Sequence, residues 1–200
     1  VAGLNYVAQN GEDSETGVFS ADGALNLLAQ VGYKAPNWGV AVGYRYGTEG
    51  TRPRTFNGSF GYNGSLFDGQ ESNGVALNAY WQPTKSGIVP SVSVGYGYNE
   101  VTGGDEKDYN TDSWFVGLQW SDVFVKGNTA GIAYGAAPTL QFNDGCEEGE
   151  TDTANVLEIF YKFQVTDNIS ITPALFYVTN ADQYDDSSKW GGVIQTKFTF

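Results

Sequence analysis

Along most of the chain, apolar and polar positions alternate with a period of two. In "DSWFVGLQWS", Trp114, Val116, Leu118 and Trp120 fall on one side, and Ser113, Phe115, Gly117, Gln119 and Ser121 on the other. A helix repeats its apolar positions every three or four residues; a period of two belongs to a strand whose faces meet different surroundings. The same alternation sets Leu157, Ile159, Tyr161, Phe163 and Val165 against Glu158, Phe160, Lys162 and Gln164. It also sets Val75, Leu77, Ala79 and Trp81 against Ala76, Asn78, Tyr80 and Gln82. The pattern predicts ten strands, over residues 1–9, 22–33, 38–47, 73–82, 88–100, 112–121, 129–142, 154–165, 169–179 and 188–200. Most run to about 9 to 12 residues, longer than the about 5 or 6 usual in soluble sheets and matched to a tilted strand crossing a bilayer.

The connections alternate in length. Short ones lie at 34–37, 83–87, 122–128 and 166–168, and long ones at 10–21, 48–72, 101–111, 143–153 and 180–187. A transmembrane β-barrel produces this asymmetry, with tight turns on the periplasmic rim and longer loops on the outer rim. Charge follows the same division. All acidic residues except Asp122, Glu158 and Asp167 lie in the long loops or the strand ends beside them, while Lys34, Lys85 and Lys126 sit in short turns.

Tyr33, Trp38, Trp81 and Trp120 cluster beside the short turns, where amphipathic rings would form an interfacial belt. The opposite face is small and polar: Gly43, Ser91, Ser93, Gly95, Gly97, Gly117, Gly131, Ala133 and Gly135. A small barrel fills its interior with side chains, so this face predicts a wider, watered lumen and more strands than these ten. In the tail "KWGGVIQTKFTF", Trp190, Ile194, Thr196, Phe198 and Phe200 share one face. A terminal aromatic after alternating apolar residues resembles the insertion signal of outer-membrane barrels, with Phe198 and Phe200 as its key residues.

Composition then removes alternatives. The chain has no histidine and one cysteine, Cys146, so Ser-His-Asp hydrolysis, an internal disulfide and a thiolate cluster are excluded, and no cofactor or metal site is expected. No apolar stretch reaches the roughly 18 to 20 residues of a spanning helix, which leaves barrels open. A net charge of −13 disfavours nucleic acid. Without a low-complexity linker, residues 1–200 read as one unit. The start already reads as strand, with no export signal, and is expected to be processed or cut.

The segments "DSWFVGLQWSDVFVKGNTAGIAYG" (112–135), "EIFYKFQVTDNISITPALFYVTN" (158–180) and "GGVIQTKFTF" (191–200) resemble the C-terminal half of carbohydrate-selective OprB-type porins, nearest to their cyanobacterial branch. The hairpin "FYKFQVTDNISITPALFY" is the most specific match. The resemblance implies an all-β, antiparallel transmembrane barrel of about sixteen strands, of which residues 1–200 are the C-terminal portion. It implies a homotrimer in the outer membrane of a Gram-negative-type bacterium, surrounded by its lipids and passing small solutes or inorganic ions. It also implies attachment to the cell wall through an N-terminal domain that lies outside this sequence.

Selectivity in such a pore comes from charges on the lumen wall and on any loop folded into it. By phase Arg45, Glu158, Lys162 and Lys197 face inward, and Arg52 and Arg54 open the longest loop, which also carries Phe56, Phe60 and Tyr62. That loop reads as a constriction or as a segment packed on the rim or latching a neighbouring subunit. Glu158 and Lys162, four residues apart on one strand, lie roughly 13 Å from each other and do not pair. Each reads as a lumen charge or as a partner for a neighbouring strand, with Lys197 nearest in hairpin order. The acidic loops read as a solvated rim rather than a Ca²⁺ site, because they lack the spacing of a calcium motif. The acidic entrance and the basic loop oppose each other, so the ion preference stays open, and Cys146 receives no role. The leading function is a passive porin. A plugged barrel serving as receptor, adhesin or structural protein, and a soluble β-sandwich lectin, are the alternatives.

Overall fold

The computed structural model describes residues 1–8, 10–14, 17, 19, 24–51, 66–85, 87–105, 108–142, 152–181 and 187–199. They form ten strands: β1 (Ala2–Ala8), β2 (Leu25–Lys34), β3 (Trp38–Gly47), β4 (Gln70–Trp81), β5 (Ser91–Gly103), β6 (Tyr109–Ser121), β7 (Thr129–Phe142), β8 (Asn155–Thr166), β9 (Ile169–Thr179) and β10 (Ser188–Phe198). Each pairs antiparallel with the next in chain order, giving one ten-stranded meander. Among the described residues no helix is long and apolar enough to cross a membrane.

All ten strands expected from the alternation are present, with shifted ends: β2 begins at Leu25 rather than 22 and β5 at Ser91 rather than 88, while other strands lengthen toward the long loops. β4 begins at Gln70, β5 continues to Gly103 and β6 begins at Tyr109, each further toward the loops than the pattern indicated. Backbone pairing continues there, as Gln70 with Gly103 and Val101 with Tyr109, beyond the zone where one face must be apolar.

Register keeps the faces separate over the whole sheet. Val42, Leu77 and Tyr96 face one way across successive pairings, as do Val116, Tyr134 and Leu157. Large apolar side chains on this face stay exposed, among them Val42, Leu77, Val94, Val116, Ile132, Ile159 and Leu175. A water-soluble sheet would bury such a surface against a second layer. At the short-turn end Trp38 stands opposite Trp81 and its ring centroid lies 5.3 Å from that of Tyr33. Toward the long loops Tyr177 and Trp190 (4.4 Å) and the exposed Tyr44, Tyr96 and Tyr98 add a second aromatic group, so rings flank the apolar band on both sides.

In β7 the pairing steps from Thr139–Asp112 to Ala136–Trp114, leaving Ala137 and Pro138 as a bulge. Proline has no N–H for the ladder and fits such a break; the Ala137 N–H donates instead to the Ala154 carbonyl at 2.9 Å. Just below the bulge, Gly135 lies hard against β6: a Cβ there would sit 2.2 Å from the Trp114 carbonyl oxygen and 2.8 Å from the Phe115 Cα. Backbone cannot swing aside as a side chain can. Gly135→Ala is therefore expected to destabilise the fold by about 1 to 3 kcal/mol. Gly87→Ala, where nothing lies within 4 Å, should leave the denaturant midpoint of the detergent-folded protein unchanged.

Candidate functional site

The second face of the sheet is made of small and polar residues. Across the middle strands run Gly43, Ala76, Gly97 and Ser113, and next to them Asn78, Gly95 and Phe115. Four aromatic rings on this face lie against a cross-strand glycine: Tyr80 over Gly39, Phe115 over Gly95, Phe160 over Gly131 and Phe176 over Gly191. The nearest ring carbon is 2.2 to 2.5 Å from where each glycine's Cβ would be. The missing side chains let the rings lie along the wall instead of projecting from it, which keeps the space in front of the sheet clear.

Arg45 stands on this face, opposite Leu28 and Gly74. Its Nε donates to Asn26 Oδ1 at 3.2 Å and its Nη1 to Ser72 Oγ at 3.4 Å. These neutral partners hold the guanidinium without cancelling its charge. Around it the wall forms an open hollow of about 450 Å³ whose lining includes Leu28, Gly43, Gly74, Asn99 and Thr111.

At the rim above Arg45, the two stems of the longest loop fold onto the same face. Leu66 N donates to Thr51 O at 2.7 Å, and Gly50 N to Leu66 O at 3.0 Å, pairing the stems with each other. Leu66 packs with Val101 and Tyr109, which lie in the cross-strand row of Ser72. Thr51 is fully buried; its hydroxyl donates to Thr48 O at 2.6 Å. The loop thus leaves the sheet from its small-polar side. Arg52, Arg54, Phe56, Phe60 and Tyr62 lie outside the described residues, as do Phe200 and Cys146.

Glu158 is exposed on the small-polar face, with Ala133 and Phe176 opposite, and Lys162, half-buried, has Thr129 opposite. Lys197 lies across from Ser170, six positions along β10 from Gly191, which is the partner of Phe176. Hairpin order suggested Lys197 as their neighbour; the register of β9 carries it away toward the short-turn end, leaving three separate wall charges. Two further cations had been missed. Lys34, read as a turn residue, is the last position of β2, pairs with Gly39 and shares the face of Gln30 and Gly32. Lys189 pairs with Val178 on the same face. Continuing the alternation one step past residue 33 would have found Lys34, and Lys189 already fell within the expected strand 188–200, in phase with Gln195 and Lys197. Among the described residues, no group of three His, Cys, Asp or Glu side chains could hold a metal ion.

The model of the carbohydrate-selective porin, OprB family, matches residues 54–200. Among characterised and uncharacterised proteins, the chain is 35% identical to an uncharacterized protein of Nostoc sp., over 71% of this chain and 24% of that protein. It is 28% identical to an uncharacterized protein of Synechocystis sp., over 98% of this chain and 40% of that protein. The chain therefore spans less than half the length of these cyanobacterial relatives. Its fold is similar to that of the anion-selective porin from Comamonas acidovorans, with a TM-score of 0.69 over 100% of this chain and 55% of that one, at 11% identity. An apolar outer face between aromatic flanks, a small-polar inner face and ten meandering strands are the features of an outer-membrane β-barrel wall, and the chain belongs to the OprB family of carbohydrate-selective porins.

Proposed function

We propose that this wall lines a water-filled pore passing small solutes by passive diffusion, and that among ions it favours anions. One observation carries the reading. In a chain of net charge −13, the inward strand positions among the described residues hold Lys34, Arg45, Lys162, Lys189 and Lys197 against the carboxylate of Glu158. A permeating ion passes within a few ångströms of these groups. The acids of the outer rim stand in open water and are screened beyond about 8 Å at physiological ionic strength. The Comamonas porin is anion-selective by its own description; for this chain the argument rests on the wall residues.

Arg52 and Arg54 continue directly from the buried stem at Thr51 and add to the positive field of Arg45 as a constriction. Closure of the barrel by further strands to about sixteen, assembly as a homotrimer, attachment to the cell wall through a further domain and insertion directed by Phe198 and Phe200 complete the reading. The test is the zero-current potential of the complete porin in a planar bilayer across a potassium chloride gradient. An anion-preferring sign at low salt is expected. A cation-preferring sign overturns the selectivity, and an inserted but silent protein overturns the pore in favour of a plugged receptor or adhesin.

A further inference from the structure

Two adjacent short turns push apolar side chains beyond the ends of the strands. Between β4 and β5, Ile88 is 95% exposed and Val89 follows it; between β6 and β7, Phe124 is 94% exposed and Val125 follows. The second turn is unusual in its backbone. Asp122 and Phe124 both have a φ of 60°, a region that glycine and asparagine enter cheaply and an aromatic residue rarely adopts.

The turn is clamped in that shape. Asp122 Oδ1 accepts from Gly127 N at 2.8 Å, and Asn128 Oδ1 from Gln164 N at 2.9 Å. Asn128 Nδ2 donates to Tyr161 Oη at 2.9 Å, and Tyr161 Oη donates to Val123 O at 2.8 Å. Trp120 Nε1 donates to Ile88 O at 2.9 Å, tying the two turns together. A strained conformation persists only where its surroundings over-determine it, and such strain points to a function for what it presents. What it presents is the Phe124 ring, stacked on Tyr161 with centroids 6.2 Å apart.

Tyr161 belongs to the apolar outer face, its ring 4.6 Å from that of Phe163. Trp120 and Ala130, a cross-strand pair, also belong to it. Trp120 and Ala130, with Ile88, Val123 and Phe124 and with Ser121 and Asp122 at its polar edge, line a hollow of about 460 Å³. We propose that this hollow is a lipid-anchoring site, taking an acyl chain of a phospholipid from the periplasmic leaflet, with Phe124 held as one wall. The proposal rests on the barrel reading and on short turns facing the periplasm. Continuity decides the occupant: the hollow opens from the same surface that the bilayer covers along β6 to β8. The exposed Lys85 and Lys126, one in each turn, provide cations for an anionic headgroup. A turn meant only for water would gain nothing from an aromatic residue at a left-handed position.

The test is Phe124→Trp in the complete porin, reconstituted in vesicles of phosphatidylethanolamine and phosphatidylglycerol brominated near the headgroup end of the acyl chains. The emission added over wild type should lose most of its intensity to the brominated lipid and little to aqueous iodide. Added emission quenched by iodide alone places the turn in water and overturns the site. Quenching by neither places a protein surface, such as a second copy of this chain, in the hollow and overturns it too. Ile88→Trp, on the opposite wall and without backbone strain, gives the same readout should the first variant not refold. The native Trp38, Trp81 and Trp114 of the outer face, none of which lines the hollow, are an internal control. If their emission is also insensitive to brominated lipid, the membrane reading itself has failed.

Discussion

Arginine in place of Ile159 is expected to abolish most membrane insertion, whereas arginine in place of Ser93 is expected to leave it intact. Ile159 lies opposite Ile132 on one side and Leu175 on the other. All three side chains remain substantially exposed because no protein covers them. In the bilayer their surroundings are acyl chains, which offer a guanidinium no hydrogen bond. Near the midplane of a barrel this costs roughly 2 to 4 kcal/mol, about a 30- to 900-fold shift from inserted to uninserted protein. Ser93 sits on the other face between Tyr80 and Gly117, where an added guanidinium meets lumen water. Folded yield in lipid vesicles, read by the heat-dependent shift in electrophoretic mobility, measures both. Equal losses at the two positions would mean that the faces are assigned wrongly or that the sheet is packed in a soluble sandwich.

The second large effect is a change in the sign of selectivity. Arg45→Glu combined with Lys162→Glu and Lys197→Glu replaces three wall cations by carboxylates and leaves the rim untouched. The zero-current potential should move from the anion-preferring to the cation-preferring side at low salt. The difference should shrink toward 1 M salt, where screening shortens to about 3 Å. The fold should tolerate these changes. Asn26 and Ser72, which accept from Arg45, can instead donate to a glutamate through an amide or hydroxyl. Lys197 is exposed and Lys162 half-buried, neither bonded to another described residue. A potential that does not move would assign selectivity to the rim acids or to the loop beginning at Arg52.

Much of this architecture was legible in the chain because a two-sided strand writes its surroundings into every second residue. The ten strands, the alternation of short and long connections, the apolar face of Val116 and Ile159 and the small-polar face of Ser93 and Gly117 all follow from period and turn length. The family followed from the hairpin around Phe160 to Tyr177. Strand ends were less legible. Gln70, Val101, Gly103 and Tyr109 pair as strand, yet at the rim neither face needs to be apolar, so the alternation fades before the hydrogen bonding does.

What the sequence by itself determined is therefore the wall: strand number within this chain, the face of each side chain and the division of charge between rims. Alternation is a local property, carried by the two-residue repeat of the backbone. What only the tertiary structure decided is position across strands, because register depends on turns and bulges that a single strand does not encode. It separated Lys197 from Glu158 and Lys162, and it carried β2 far enough to set Lys34 on the small-polar face with Arg45. It laid Phe115, Phe160 and Phe176 over glycines of neighbouring strands. It folded the stems at Thr51 and Leu66 onto the small-polar side, where burial of Leu66 with Val101 and Tyr109 holds them. And it fixed Phe124 in a strained, outward pose that no pattern of hydrophobicity reveals, since the constraint comes from Tyr161, Asn128 and Gln164, which the turn meets only after the sheet has formed.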